Sequence, residues 1–176
     1  MPKPTQEDQD FFQSITGSAG YGSHLSQHFT IHEIDEVPPE DERGWRKVDG
    51  FKVSFRGKVT DDMSNLSRNM HGAMYSWILD TMTSAALIAI HTPTFWGLPD
   101  FAGVTLTMEL QCLNAAPVNT ELLIQVEIVK CSLRLANVRC EIKDFDTGKI
   151  YATGTHLKMR KGPQSEKEKK SIPAKL

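Results

Sequence analysis

One carboxylate stands out in the 176-residue sequence, because it interrupts a long stretch that is otherwise uncharged. Between Gly72 and Ile90 the only charged residue is Asp80. A carboxylate inside an apolar segment is costly unless it is paired with another group or used in chemistry. Carboxylates in enzymes act as general bases or as nucleophiles, so Asp80 is the strongest candidate for a functional residue.

The residues at the start of the same stretch could stabilise negative charge. Gly72 lies near the predicted start of a helix, where backbone N–H groups lack partners and the helix dipole favours an anion. Glycine at that position also lets a ligand approach the backbone closely. The preceding His71 could act directly as a base, although a histidine at a helix start is often only a cap or a packing residue.

Residues 72–90 predict a helix that is buried on nearly all sides. Apolar residues recur there at helical spacing, Ser and Thr fill most other positions, and Pro93 follows as a stop signal. We therefore expect Asp80 to lie inside a buried helix. Such a helix needs an apolar surface around it, which a curved antiparallel sheet would supply.

Alternating apolar and polar residues predict strands on both sides of the helix. The predicted strands cover residues 28–37 and 51–56 before the helix, and 104–112, 122–128, 134–142 and 150–159 after it. The alternation sorts the first strand after the helix into two faces, with Val104, Leu106, Met108, Leu110 and Cys112 on one and Thr105, Thr107 and Glu109 on the other. The predicted fold class is α+β.

The chain divides into three parts by composition. Residues 1–24 predict a short N-terminal helix and a linker, and residues 25–162 form the main domain. Residues 163–176 are charged and contain no aromatic residue, which is typical of a flexible tail.

Composition also argues against several classes of partner. The formal net charge is −2 with both signs spread along the chain, so nucleic acid is not expected. Asp80 and the hydroxyl residues interrupt the longest apolar run, so no membrane span is expected. We find no metal-ligand spacing, no G-x-S-x-G elbow and no phosphate-binding glycine loop, and we expect neither a metal nor a cofactor.

The order of elements and the spacing of residues resemble one family. Asn65, then His71-Gly72-Ala73, then Asp80 resemble the Asn, His-Gly-Gly and Asp of hotdog-fold acyl-CoA thioesterases of the phenylacetate-pathway type. The resemblance covers residues 51–160 and implies a curved antiparallel sheet wrapped around one long helix. The sequence departs from the family at Ala73, which replaces a Gly, and at Thr105, which replaces a Ser.

The resemblance implies an acyl-CoA thioesterase of lipid metabolism, in which coenzyme A enters as part of the substrate. It assigns Asp80 as base or nucleophile and the Gly72 N–H as the group that polarises the thioester carbonyl. Asn65 would position the water or the carbonyl, and Thr105 would bind the water or hold Asp80. Each residue also has a structural interpretation: Asp80 as a buried partner, Asn65 as a turn residue, and Thr105 as an ordinary strand residue.

Two other functions stay open at this point. One is a hotdog hydratase or dehydratase acting on a thioester, and the other is a non-catalytic acyl or lipid carrier that kept the pocket. Five basic residues could meet coenzyme A phosphates: Lys130, Arg134, His156, Lys158 and Arg160.

The spacing along the helix predicts at least a homodimer, and a homotetramer built from two dimers stays open. Gly72 and Asp80 are eight residues apart, so at about 1.5 Å rise per residue they lie roughly 12 Å apart along the axis. One helix cannot easily present both to one thioester group. Two antiparallel copies of the helix could, with Gly72 of one copy near Asp80 of the other.

The last three residues, Ala174-Lys175-Leu176, resemble the peroxisomal Ser-Lys-Leu signal, so we expect binding to the peroxisomal import receptor and a peroxisomal location, with the cytoplasm as the alternative. A fluorescent protein that carries about the last ten residues should become punctate in cells, and deletion of Leu176 should disperse it. Diffuse fluorescence with the tail intact would favour the cytoplasm.

Overall fold

The computed structural model describes residues 1–17, 20–97 and 101–160. The predicted tail and the Ala174-Lys175-Leu176 signal lie outside these residues, as does part of the predicted linker. The helices and strands are, in chain order, α1 (Gln6–Gly17), β1 (Phe29–Ile34), β2 (Lys52–Lys58), α2 (Gly72–Ala89), β3 (Val104–Cys112), β4 (Glu121–Cys131), β5 (Leu135–Asp144) and β6 (Ile150–Met159). Short 3₁₀ helices cover Ser23–His28 and Asp61–Met63.

The strands form one six-stranded sheet in the order β1-β2-β4-β5-β6-β3. Every neighbouring pair is antiparallel. The chain leaves β2, passes through α2 along one face of the sheet, and returns at the far edge as β3, beside β6. This arrangement confirms the predicted α+β class, a curved antiparallel sheet packed around one long helix.

The core lies between α2 and the inner face of the sheet. Ten of the 18 residues of α2 are buried, which confirms the prediction of a largely enclosed helix. The alternate residues of the two central strands that face α2 are at most 2% exposed: Leu122, Ile124, Val126, Ile128, Ala136, Val138, Cys140 and Ile142. The strict alternation in β4 and β5 therefore sets which sheet face becomes the core.

The two edges of the sheet are finished differently. At the β1 edge, α1 packs alongside the strand, and the Gln9 side chain both donates to the Ile31 carbonyl (2.7 Å) and accepts from the Ile31 N–H (3.0 Å). Gln13 donates to the Phe29 carbonyl at 2.8 Å. Side-chain amides thus occupy backbone groups that would otherwise be free to pair with another strand.

The β3 edge has no such cover within the described part of the chain. None of the nine residues of β3 is buried, and Leu106 and Met108 are 44% and 39% exposed. An exposed edge strand of this length, with Glu109 as its one charged residue, is a template for pairing with another strand. The sheet therefore has one closed edge and one open edge.

Candidate active site

Asp80 lies on α2 but is not buried, contrary to the sequence-based expectation. Its side chain is 55% exposed. The helix is apolar on most sides, one sheet and α1 do not enclose it fully, and Asp80 occupies the strip that they leave open, in line with Ser76 and Ser84. In a single chain the carboxylate therefore stays largely hydrated and is accessible to a ligand.

A groove beside Asp80 runs along this uncovered strip. Its cavity volume is about 200 Å³, and α1 forms one wall. The lining residues are Ile15, Thr16, Tyr21, Trp77, Asp80, Thr81, Ser84, Ala85 and Ile88. The groove thus combines apolar side chains with several hydroxyl groups next to one carboxylate, as small-molecule sites commonly do.

His156 on β6 lies directly beneath Asp80 and is fully buried. Its Nδ1 is 2.7 Å from the Thr83 hydroxyl, which itself donates to the Leu79 carbonyl at 2.6 Å. Because the Thr83 hydroxyl donates its proton to that carbonyl, its oxygen acts as the acceptor toward His156. The ring proton of His156 is therefore assigned to Nδ1. The Nε2 atom of His156 is then left as an acceptor.

Burial holds His156 in its neutral form. Desolvation, together with the nearby Lys158 ammonium, lowers the pKa of His156 to about 4, against the opposing effect of Asp80. The 3.8 Å separation of Asp80 Oδ1 from His156 Nε2 is consequently not an ion pair at neutral pH. The ring acts as a hydrogen-bonding spacer between α2 and β3.

Thr105 approaches the same histidine because of a bulge in β3. Thr105 is paired with Lys158 and Thr107 with Leu157, so one extra residue, Leu106, interrupts the register. The bulge moves Thr105 to the inner face of the sheet, which is also the face of Met108. The sequence-based alternation predicted that Thr105 and Met108 lie on different faces, and this prediction is wrong. The Thr105 hydroxyl lies 2.9 Å from His156 Nε2 and donates to it.

A buried lysine completes the cluster around Asp80. Lys158 is 4% exposed; its Nζ donates to the Ser84 hydroxyl at 2.6 Å and lies 3.8 Å from Asp80 Oδ1. His156 and Lys158 were candidates for coenzyme A phosphates in the sequence, but both side chains point into the protein. Sequence reasoning missed their proximity to Asp80, although the alternate residues of β6 would have placed them on one face.

The other predicted residues lie at the start of α2. The Nδ1 atom of His71 accepts the Ala73 N–H at 3.0 Å, which is the geometry of a helix cap. Gly72 is exposed, and among the hydrogen bonds of the described residues its N–H has no acceptor. A Cβ atom at Gly72 would meet nothing within 4 Å, so packing within the chain does not require glycine there.

Asn65 shapes the loop that leads into α2. Its Oδ1 accepts the N–H of Ser67 (2.9 Å) and of Asn69 (3.3 Å), and its own N–H donates to the Asn69 carbonyl. This is the turn role that the sequence left open. Its side-chain NH₂ group has no acceptor among the bonds of the described residues.

The structure therefore divides the predicted site residues into two groups. Asp80 and Thr105 lie within 4 Å of the same His156 nitrogen, at the middle of α2. His71 and Gly72 lie at the helix start, and Asn65 lies in the loop that leads to it. Within residues 1–17, 20–97 and 101–160, no three His, Cys, Asp or Glu side chains are grouped as metal ligands would be. Nor does any helix there have the length and apolarity needed to cross a bilayer.

Comparison with known proteins identifies the family. Residues 68–151, which contain His71, Gly72, Asp80 and Thr105, match the thioesterase superfamily. The chain carries a thioesterase superfamily domain. Together with the relatives described next, it supports a thioester hydrolase.

Individual relatives agree with this assignment. Acyl-coenzyme A thioesterase 13 from mouse is 28% identical over 107 residues, which are 61% of this chain and 71% of the mouse protein. The human acyl-coenzyme A thioesterase 13 is 26% identical over the same share of each chain.

Solved structures support the fold. Zebrafish thioesterase superfamily member 2 superposes with a TM-score of 0.67 at 19% identity, covering 87% of this chain and 95% of the zebrafish chain. A thioesterase protein from Streptococcus pneumoniae, whose crystal contains coenzyme A, gives a TM-score of 0.60 at 19% identity and covers 79% and 90% of the two chains.

The neutral, buried His156 should make stability depend on pH. Its pKa falls from 6.5 to about 4 on folding, so protonation favours the unfolded chain. The contribution of His156 is complete above pH 6.5 and is lost as the pH falls toward 4, by about 3 kcal/mol in all. Urea unfolding at a series of pH values measures this loss, which His156→Gln should remove. Substitution of the exposed His24 by Gln is the control, and an unchanged pH dependence in His156→Gln would contradict the assignment.

Proposed function

We propose that this protein hydrolyses acyl-CoA thioesters, with Asp80 as the general base or nucleophile. The observation that carries the proposal is the exposed Asp80 carboxylate at a groove, within 4 Å of a neutral histidine that also accepts from Thr105. The thioesterase domain supplies the reaction class. The acyl-CoA thioesterase relatives and the coenzyme A in the crystal of the bacterial thioesterase support the choice of substrate.

The hydrogen-bond pattern suggests how a water molecule is held. Because the Thr105 proton points to His156, the Thr105 oxygen presents its lone pairs to the open side. A water could donate one proton to that oxygen and the other to Asp80, with its own lone pair directed at the thioester carbon. Asp80 takes the proton from the water as the C–O bond forms, and it returns that proton to the coenzyme A thiolate as the C–S bond breaks, which regenerates the carboxylate.

The start of α2 is suited to polarise the thioester carbonyl. The Gly72 N–H is unused within the described part of the chain and lies at the positive end of the helix dipole. A glycine that no intrachain contact requires is explained if a substrate passes close to the backbone there. The free Asn65 amide group could donate to the same oxygen. His71 serves as the cap that fixes the helix start.

We infer that each site combines two chains. Gly72 and Asp80 lie roughly 12 Å apart along one helix, which is too far for one carbonyl group. The open edge and exposed apolar residues of β3 give a second copy a surface on which to dock. A two-fold dimer would bring the Gly72 end of one α2 to the Asp80 of the other and create two sites, and pairs of dimers could form a tetramer.

Asp80→Asn tests the chemical role. The change preserves the size of an exposed side chain, so the fold should survive, whereas loss of the acid–base group should lower thiol release from acyl-CoA by about 100-fold or more. A panel of acyl chain lengths gives the substrate preference in the same assay. Asp10→Asn, on the exposed face of α1, is the matched control and should retain activity. Hydrolysis by Asp80→Asn at a rate near wild type would show that Asp80 is structural.

The same assay separates the other candidate functions. A carrier would bind acyl-CoA without releasing thiol, and a hydratase or dehydratase would change the acyl group without breaking the C–S bond. Thiol release by the wild-type protein would therefore exclude both a carrier and a hydratase or dehydratase.

Mixed dimers test whether the site is shared. Asn65→Ala and Asp80→Asn, each first shown to be nearly inactive, are unfolded together and refolded. In a mixed dimer one site collects both changes and the other collects neither. Random pairing makes about half of the dimers mixed, so roughly a quarter of wild-type activity should return. A mixture as inactive as its parents, with mixed dimers demonstrated by mass, would exclude the shared site.

A further inference from the structure

Lys158 occupies an unusual place for a lysine. It lies on the inner face of β6, where its register partners are Ala136 on β5 and Thr105 on β3. These small neighbours leave room for the long side chain to run beneath α2, where it is 4% exposed. Lysine is seldom buried to this extent unless its charge is paired.

The charged end of Lys158 meets two groups on α2, one turn apart. The ammonium donates to Ser84 Oγ at 2.6 Å and lies 3.8 Å from Asp80 Oδ1. Burial lowers the pKa of Lys158, and the Asp80 charge partly offsets that effect. In the described ranges of the chain, Asp80 is the only carboxylate within 4.0 Å of this ammonium.

Neither stability nor coenzyme A binding explains this lysine well. Burial of the Lys158 ammonium carries a desolvation cost that an apolar side chain of similar volume would avoid, so the core does not need the charge. The ammonium points toward α2 from the inner face of the sheet, away from the solvent in which a phosphate would lie. The Lys158 ammonium instead lies close to Asp80, the proposed catalytic carboxylate.

We propose that Lys158, anchored by Ser84, is a positioning residue that holds the Asp80 carboxylate in its reactive orientation. The exposed Asp80 side chain would otherwise sample several rotamers. An ammonium fixed on one side of it, by a strand and by a hydrogen bond to the same helix, selects the rotamer in which Oδ1 faces the cluster. The inference rests on the proposed function of Asp80.

Lys158→Met tests the proposal, because methionine fills similar space without charge. We expect kcat to fall about 10- to 100-fold with little change in KM, since misplacement of a catalytic group costs this much. The matched control is Lys143→Met, a lysine of β5 that is ion-paired with Glu141 (2.6 Å) and bonded to Gln125 (2.7 Å) away from the groove. It should leave both constants unchanged.

Two substrates distinguish positioning from phosphate binding. The variants are assayed with an acyl-CoA and with the matching acyl N-acetylcysteamine thioester, which lacks the nucleotide and its phosphates. Positioning predicts the same fold loss in kcat with both substrates. A loss confined to the acyl-CoA, or a rise in KM alone, would overturn the proposal.

Further variants keep the test decisive. Ser84→Ala removes only the anchor and should lower kcat in the same direction by a smaller factor, which provides a test if Lys158→Met does not fold. In the Asp80→Asn background Lys158→Met should cause no additional loss. Crystal structures of wild type and Lys158→Met give a readout without activity: an unchanged Asp80 rotamer would overturn the proposal, even if wild type hydrolysed neither thioester and the proposed function itself failed.

Discussion

The need to enclose α2 is the constraint on which the rest of the structure depends. The helix is apolar over most of its circumference, and ten of its residues are buried, whereas Ser76, Asp80 and Ser84 follow one another along the remaining strip. A single sheet, even when curved, covers only part of a cylinder. With α1 covering a further part, one strip of α2 stays open, and Asp80 and the groove occupy it. The incomplete enclosure of α2 thus creates an opening through which a substrate could reach the Asp80 carboxylate.

Two polar side chains on the inner face of β6 lower the stability of the core but position groups around Asp80. His156 and Lys158 occupy positions where apolar residues would pack at lower cost. Burial keeps His156 neutral, so it can accept a hydrogen bond from the Thr105 hydroxyl. The buried Lys158 ammonium lies 3.8 Å from Asp80 Oδ1, and within the described ranges no other carboxylate is that close. Both groups are held by hydroxyls of α2, Thr83 and Ser84, and therefore link sheet and helix at the level of Asp80. Functional sites commonly carry such locally unfavourable groups.

The two sheet edges explain why association would be directional. Gln9 and Gln13 of α1 occupy backbone groups of β1, so that edge cannot readily accept another strand. β3 has exposed backbone and apolar side chains, and it lies next to β6, which carries the residues beneath Asp80. A partner that docks on β3 would therefore approach the half-site formed by Asp80 and Thr105, rather than the opposite side of the domain. In the proposed dimer, the N–H of Gly72 at the start of α2, which has no acceptor among the described residues, would supply the complementary half.

The sequence by itself determined the helix, the strands and the motif, because apolar spacing and turn residues act locally. The buried faces of β4 and β5 follow from alternation alone, and the match of Asn65, His71-Gly72 and Asp80 to a family pattern identified the reaction class. Only the tertiary structure decided how the site residues are grouped. The exposure of Asp80 depends on how far the sheet wraps the helix, which no local pattern encodes. The inward turn of Thr105 depends on a single-residue bulge that breaks the alternation. The cluster of His156 and Lys158 with Asp80 joins residues more than 70 positions apart, through the non-local packing of β6 on α2.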